Sequence, residues 1–313
     1  MLEIFKTPEQ GSGVLRIDEI EKGCWINLAE PDEEELDLVI KHIGVEQTFL
    51  RDSLDVEEKP RIDIDEDQIL IIVDIPFVFE DEKSIKFETL PMGILMIRDD
   101  YIITICSKQA SVLERFRGGQ IKNLFTYKKT RFVLQTLYYI AKDYLKFLKH
   151  IDKKSEFLEN ALHKSMRNKD LYKLLELGKS LVYFTTSLKS NEAVLERLLK
   201  GKVIKMYEED QDLLEDTIIE NRQAIEMSTI YSSILQSTNE TFASVISNNQ
   251  NNVMKFLAAV TIVLAVPNVI FSFFGQNVKF PYGDNPIMWL LVLVGALSIS
   301  GTIAYFLYKK DMF

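Results

Sequence analysis

The chain has 313 residues, 27% of them charged and 47% hydrophobic, and a formal net charge of −10. That length has room for two domains, and the composition is neither disordered nor fibrous. Residues 251–313 hold four lysines and two aspartates, which leaves −12 on residues 1–250, a balance that repels nucleic acid and attracts cations; a nucleic-acid partner is excluded.

Met1 to Gln10 has no apolar core of signal-peptide length, so the N-terminal part is expected to stay in the cytosol. Residues 1–119 read as a cytosolic α/β domain. Cys24 to Leu28 is a short apolar strand. Glu30-Pro31-Asp32-Glu33-Glu34-Glu35 then opens a helix that runs on through Leu36, Val39 and Ile40. Acids in a first turn suit the helix dipole, which explains that run better than a metal site does. After Arg61 the period changes to two. Ile62 and Ile64 alternate with Asp63 and Asp65, Ile69 to Phe79 is β-branched and aromatic, and Met92–Ile97 and Tyr101–Cys106 flank Arg98-Asp99-Asp100 as a hairpin. The predicted architecture is a mixed or antiparallel sheet with helices packed on it. Cys24 and Cys106 are far apart and in no CxxC pair, so they are expected to be buried thiols. His42, His150 and His163 are scattered and read as ordinary residues.

Residues 120–250 are predicted to form a bundle of long helices and a stalk. From Gln120 to Leu177 there is neither Gly nor Pro, and Phe132, Leu134, Tyr138, Ala141, Leu145 and Leu148 recur at helical spacing. Gly178 interrupts weakly, and Lys200-Gly201-Lys202 marks a turn. From Lys202 to Val266 there are 65 positions without Gly or Pro, and Pro267 is the first break. If all are helical they form one rod of about 100 Å, which needs neighbouring helices and copies of itself to pack against. Glu208, Glu209, Asp210, Asp212, Glu215 and Asp216 cluster on this stalk. They read either as a solvated face paired with lysines such as Lys169, Lys173 and Lys179, or as carboxylates from adjacent subunits holding a divalent cation.

Residues 251–313 form the predicted membrane domain. Phe256 to Phe274 gives 19 uncharged positions and Ile287 to Tyr308 gives 22, each close to the roughly 20 a spanning helix needs. The first span is set at about 253–275, an external loop at 276–286 and the second span at about 287–308. Lys255, Lys309 and Lys310 flank the spans, whereas the link holds only Lys279 and Asp284, so both termini are expected to be cytoplasmic. Within the first span Ala258, Thr261, Ala265, Asn268, Ser272 and Gly275 fall at spacings of 3, 4, 3, 4 and 3, on one helix face. Such a stripe serves close helix packing or lines a pore, and Asn268 tilts it toward the pore, because an amide at membrane depth must face protein or water.

No GxxxxGK[ST], GxGxxG, HExxH or nucleophile elbow is present, and the organisation is that of a membrane conduit or sensor rather than an enzyme. The run Ser247–Leu257, the Pro-bearing span, and Phe274-Gly275-Gln276-Asn277 before the link resemble the CorA family of divalent-cation channels, a likeness that extends over the whole chain. The family's signature is Gly-Met-Asn; here Gly275 and Asn277 match and Gln276 replaces Met. The resemblance implies a homopentameric pore around the first span that passes hydrated Mg²⁺, with Asn277 at the outer mouth. It places Asn251 at an inner polar ring, Met254 and Leu257 at an apolar gate, and Asn268 at a polar level midway. It also implies that Asp216, with Glu215 beside it, helps bind a regulatory Mg²⁺ between subunits. Relatives with another middle residue include ZntB-like zinc transporters, so a Zn²⁺, Co²⁺ or Ni²⁺ transporter is the second reading. A non-conducting sensor or scaffold is the third.

Overall fold

The structure is a computed structural model and describes residues 1–8, 13–81, 84–97, 100–165, 167–201, 203–276 and 287–312. It divides into two compact units, Met1–Thr238 and Asn239–Phe313.

The first unit is built on a seven-stranded sheet of order β2-β1-β3-β7-β6-β5-β4. The strands are β1 (Leu2–Lys6), β2 (Leu15–Ile17), β3 (Trp25–Ala29), β4 (Arg61–Asp65), β5 (Gln68–Asp81), β6 (Ser84–Ile97) and β7 (Tyr101–Cys106). All neighbours are antiparallel except β3 and β7, so the sheet is mixed. Helices cover both faces, which is why β3 and β7 read as nearly unbroken apolar runs. On one side α1 (Glu33–Ile43) and α2 (Gln47–Asp52) pack Leu36, Val39, Phe49 and Leu50 onto Ile26, Leu28, Ile103 and Ile105. Helix α1 starts where its acids predict. Asp32 caps the amide of Glu35, and the Glu35 carboxylate returns to the amide of Asp32, a reciprocal cap.

The opposite face turns Trp25, Asn27 and Thr104 toward α3 (Ser111–Arg117), α4 (Lys129–Lys164) and α5 (Asn168–Gly201). Trp25 stacks on Phe5 at 4.8 Å between ring centroids and meets Phe132 at 5.1 Å. Its indole N–H donates to Thr104 Oγ1 at 2.8 Å, and that hydroxyl donates to Asn27 Oδ1 at 3.0 Å. Trp25, Thr104 and Asn27 are thus linked in one buried hydrogen-bond chain.

The ladder of β4 ends at the Arg61–Ile72 pair, leaving the outer edge of β5 bare beyond it. Asn191 of α5 closes the first gap: the amide of Asp74 donates to Asn191 Oδ1, and Asn191 Nδ2 donates to the Asp74 carbonyl, both at 2.8 Å. Tyr144 Oη also donates to that carbonyl at 3.1 Å. Two residues on, at the next outward-facing position, stands Pro76, which has no N–H to leave unpaired.

Helices α4 and α5 pack with the first part of α6 (Glu208–Phe274). Arg131 meets Asp210, Lys142 meets Glu220, and Thr238 Oγ1 donates to Glu159. The partner numbers differ by 78 or 79 throughout, so α4 and α6 run parallel in a constant register. Helix α5 runs the other way. Ser228 Oγ donates to the Leu181 carbonyl at 3.1 Å, Asn221 Nδ2 to the Leu188 carbonyl at 3.0 Å, and Arg222 pairs with Glu192 and Glu196. Gly178 lies inside α5 because the helices touch there: a Cβ would stand 3.1 Å from Leu235 Cδ2.

The helical stretch expected from Gln120 to Leu177 is broken where no Gly or Pro marks it. Helix α4 ends at Lys164, Ser165 is extended at φ −154° and ψ 107°, and α5 begins at Asn168. In the other direction, α6 begins later than Lys202, at Glu208, and continues past Pro267 to Phe274.

In the second unit α6 packs with α7 (Met288–Lys309). Both helices are long and apolar enough to cross a membrane. The most buried residues of these two spans have small side chains, with Ala259 at 0%, Ala296 at 1% and Ser300 at 7% exposure.

Two measurements check this packing. Replacing Asn191 by alanine leaves the Asp74 amide unpaired and should cost about 1–3 kcal/mol, read as a lower denaturation midpoint of the full chain; an unchanged midpoint would refute the edge-closing role. Cys24 and Cys106 are buried and free, and burial pushes the Cys106 thiol up to about 11. Native labelling by a maleimide at pH 8 should therefore be at least ~100-fold slower than labelling of the unfolded chain.

Candidate ion pathway

The polar stripe of the first span lies on the side of α6 that α7 does not cover. Ala259, Val260, Val263, Val266, Pro267 and Ile270 are buried or half-buried, whereas Ala258, Thr261, Ala265, Asn268, Ser272 and Gly275 are all exposed. The two sets follow from helical period alone: one face spends its side chains on α7, and the other carries the small and polar residues outward. Below the stripe, Asn251, Met254 and Leu257 continue the exposed face, with Met254 at 58% and Leu257 at 57%. The structure therefore brings Asn251, Met254, Leu257, Thr261, Ala265 and Asn268 onto one side of a single helix.

Thr261 shows what that face can offer. Its Oγ1 donates to the Leu257 carbonyl at 2.7 Å. The hydroxyl hydrogen is spent inside the helix, so an oxygen lone pair is what the side chain presents outward, chemistry suited to a hydrated cation. At the C-terminal end of α6 the Gly275 amide donates to the Phe271 carbonyl at 2.9 Å, and a Cβ on Gly275 would lie 3.1 Å from that carbonyl. Gln276 is exposed and is the last described residue before the link. Asn277, assigned above to the outer mouth, lies outside the described residues.

The stalk acids separate into two groups. Glu209 and Asp210 face Arg131 at 3.6 and 3.5 Å, Asp210 also accepts the Tyr207 amide at 3.2 Å, and Glu220 is held by Lys142. The hydrogen bond that Lys142 donates to Glu220 raises the Lys142 ammonium above its ordinary value. These partners sit on α4, because α4 runs parallel beside α6; Lys173, one of the lysines expected to serve, instead meets Asp170 on its own helix at 4.0 Å. Glu215 and Asp216 are exposed and in no ion pair among the described residues. Nor do three His, Cys, Asp or Glu side chains converge anywhere among the described residues. Glu215 and Asp216 supply the oxygen donors Mg²⁺ prefers, but one chain alone leaves its coordination incomplete.

Sequence reasoning singled out no residue of the second span. Ser300 nevertheless bonds to α6 on the face opposite the stripe: its Oγ donates to the Val263 carbonyl at 2.8 Å. The sequence signal that was available is Pro267 itself, whose missing N–H frees the Val263 carbonyl for a donor from elsewhere.

A family model described as CorA-like Mg²⁺ transporter protein matches residues 21–310. The chain is similar to the cobalt/magnesium transport protein CorA of Methanocaldococcus jannaschii, with 32% identity over 309 residues and 94% of each chain covered. It is similar also to the protein of that name from Thermotoga maritima, with 21% identity over 315 residues, 98% of this chain and 88% of that one. Against the complete structure of the CorA magnesium transporter from M. jannaschii the TM-score is 0.84 at 27% identity, covering 98% of this chain and 96% of that one. A mixed sheet domain, a helix bundle, two apolar C-terminal helices and a family match over nearly the whole length lead to one conclusion: this chain belongs to the CorA-like Mg²⁺ transporter family, a family of divalent-cation transporters of the membrane and not of enzymes.

Proposed function

We propose that the chain forms a homopentameric pore for Mg²⁺ uptake across the cell membrane, lined by the exposed stripe of α6 and closed by cytosolic Mg²⁺. The observation that carries this reading is the stripe itself: a spanning helix whose small and polar residues Thr261, Ala265 and Asn268 all face away from α7. In hydrocarbon such a face needs protein or water against it, and five copies around a wet axis provide both. Residues 1–119 and 120–250 are cytosolic in this reading, residues 251–313 form the membrane domain, and both termini face the cytoplasm, as the flanking lysines favour.

The chemistry follows the donors. Mg²⁺ gives up its waters reluctantly, so amide and hydroxyl oxygens from Asn277, Asn268 and Thr261 accept hydrogen bonds from the hydrated ion. Gly275 lets the helix ends approach at the mouth. Met254 and Leu257, about one and two turns above Asn251, gate by excluding water. On the stalk, Asp216 and Glu215 bind Mg²⁺ together with oxygen donors of a neighbouring subunit. Loss of that ion leaves carboxylates repelling one another and favours the open state.

A second reading rests on Gln276. It brings two donors and an acceptor where a thioether needs no partner, so the mouth is wetter and the preferred ion is Zn²⁺, Co²⁺ or Ni²⁺.

Uptake of Mg²⁺, Zn²⁺ and Co²⁺ into proteoliposomes by the wild type and by Gln276→Met separates the readings. The Mg²⁺ reading expects Mg²⁺ flux in both proteins. Preference for Zn²⁺ that Gln276→Met reverses favours the second, and a purified oligomer that passes no divalent ion leaves a sensor or scaffold. Asp216→Asn should raise the internal Mg²⁺ needed for half-closure roughly tenfold. Unchanged inhibition would remove Asp216 from the regulatory site.

A further inference from the structure

Pro267 lies in the interior of α6, which continues for seven residues beyond it. A proline has no N–H, so the carbonyl four residues earlier, that of Val263, loses its helical donor. In a bilayer no water is available to take its place, and an unpaired carbonyl there is costly. The donor that reaches this carbonyl comes from the other helix: Ser300 Oγ of α7, at 2.8 Å.

The local sequence makes that reach possible. Ala259 stands one turn before Val263 and Ala296 one turn before Ser300, at 0% and 1% exposure. Small residues on both helices let the backbones come close, close enough for a hydroxyl on a single carbon to cross. Two threonines of the unit behave differently. Thr261 donates to Leu257 and Thr302 to Ser298, at 2.7 and 2.8 Å, each to the carbonyl four residues earlier in its own helix. Ser300 alone of these three sends its hydrogen across to the neighbouring helix, and it sends it to the carbonyl that the proline frees.

Position gives the bond a role. Val263 and Pro267 lie between the apolar side chains Met254 and Leu257 and the outer residues Asn268 and Gly275. A missing hydrogen bond at Pro267 is the point where α6 bends most easily. We propose that Ser300 is a positioning residue of the ion pathway: by holding the Val263 carbonyl it locks the weak point of α6 to α7, so the two halves of the pore helix move with α7 as one body. The proposal rests on α6 being the pore wall; the hydrogen-bond substitution itself does not.

A double-mutant cycle tests it, because Pro267→Ala restores the very N–H that Ser300 replaces. Full-length wild type, Ser300→Ala, Pro267→Ala and the double variant are placed in lipid nanodiscs, and amide hydrogen exchange is followed over residues 263–270. The same proteins are assayed for Mg²⁺ uptake in proteoliposomes. Ser300→Ala alone should speed exchange by about 3-fold to 15-fold, the range of measured interhelical hydrogen bonds in membranes, and should change the uptake rate by a comparable factor. In the Pro267→Ala background the same substitution should change both by less than about 2-fold, since the restored amide now satisfies Val263. An equal effect of Ser300→Ala in the two backgrounds, or no effect on exchange when Pro267 is present, would overturn the lock. A wild type that carries no ion refutes the pore reading while the exchange arm still decides the hydrogen bond. Altered exchange with unaltered uptake overturns the positioning role.

Discussion

A helix of 67 residues draws little stability from its own hydrogen bonds, and what fixes α6 in the first unit is its register against α4 and α5. The contacts repeat on a constant offset: Arg131 with Asp210, Lys142 with Glu220, Glu159 with Thr238. Each is modest, and exposed ion pairs are worth about a kcal/mol or less. Their value lies in alignment, because a slip by one residue would rotate the whole α6 face about 100° and break all of them together. The antiparallel α5 adds the buried bonds of Asn221 and Ser228 to its carbonyls, which tolerate no such rotation either. The side of α6 on which Glu215 and Asp216 stand is thus decided by the helices packed behind it.

The second unit depends on a different economy. The most buried positions of its two spans are alanines and one serine, flanked by half-buried Val260, Val263, Val266 and Ile270. The small residues let the backbones approach, and a cross-helix hydrogen bond from Ser300 adds to the side-chain packing. The larger side chains, among them Leu264, Val269, Trp289 and Leu291, point outward, as they should on helices whose surroundings are lipid or further copies of the chain.

Much of this was legible before any coordinates. The stripe from Ala258 to Gly275 was visible because helical period does not depend on tertiary context, and the exposed face agrees with it. Strands β4, β5 and β7 announced themselves through β-branched runs and alternation. The misses have physical causes. Strands β1 and β2 are short and hold their place by pairing with β3 and with each other, a nonlocal fact. The break at Ser165 uses an ordinary residue in an extended conformation, which no Gly or Pro advertises. Pro267 is the first helix-breaking residue after Lys202, yet the span set at 253–275 runs through it, as α6 does; the partner from α7 at the freed carbonyl is what local chemistry cannot see. The salt partners of Glu209 and Asp210 were sought on the wrong helix for the same reason: which neighbour runs parallel is a property of the bundle.

Asn191 has a meaning beyond the docking of α5. A strand with bare amides and carbonyls along one side is a template on which another chain can add itself, and β5 would be such a template past Ile72. Asn191 occupies both groups of Asp74, and Pro76 offers no donor at the next outward position. Together they leave an incoming strand no continuous ladder to join. Helix α5 is made more than 100 residues after this edge, so the nascent sheet waits unsealed while the bundle is being synthesised. A chain that loses this seal would betray itself first as insoluble material in the cell, well before any defect in ion movement could be measured.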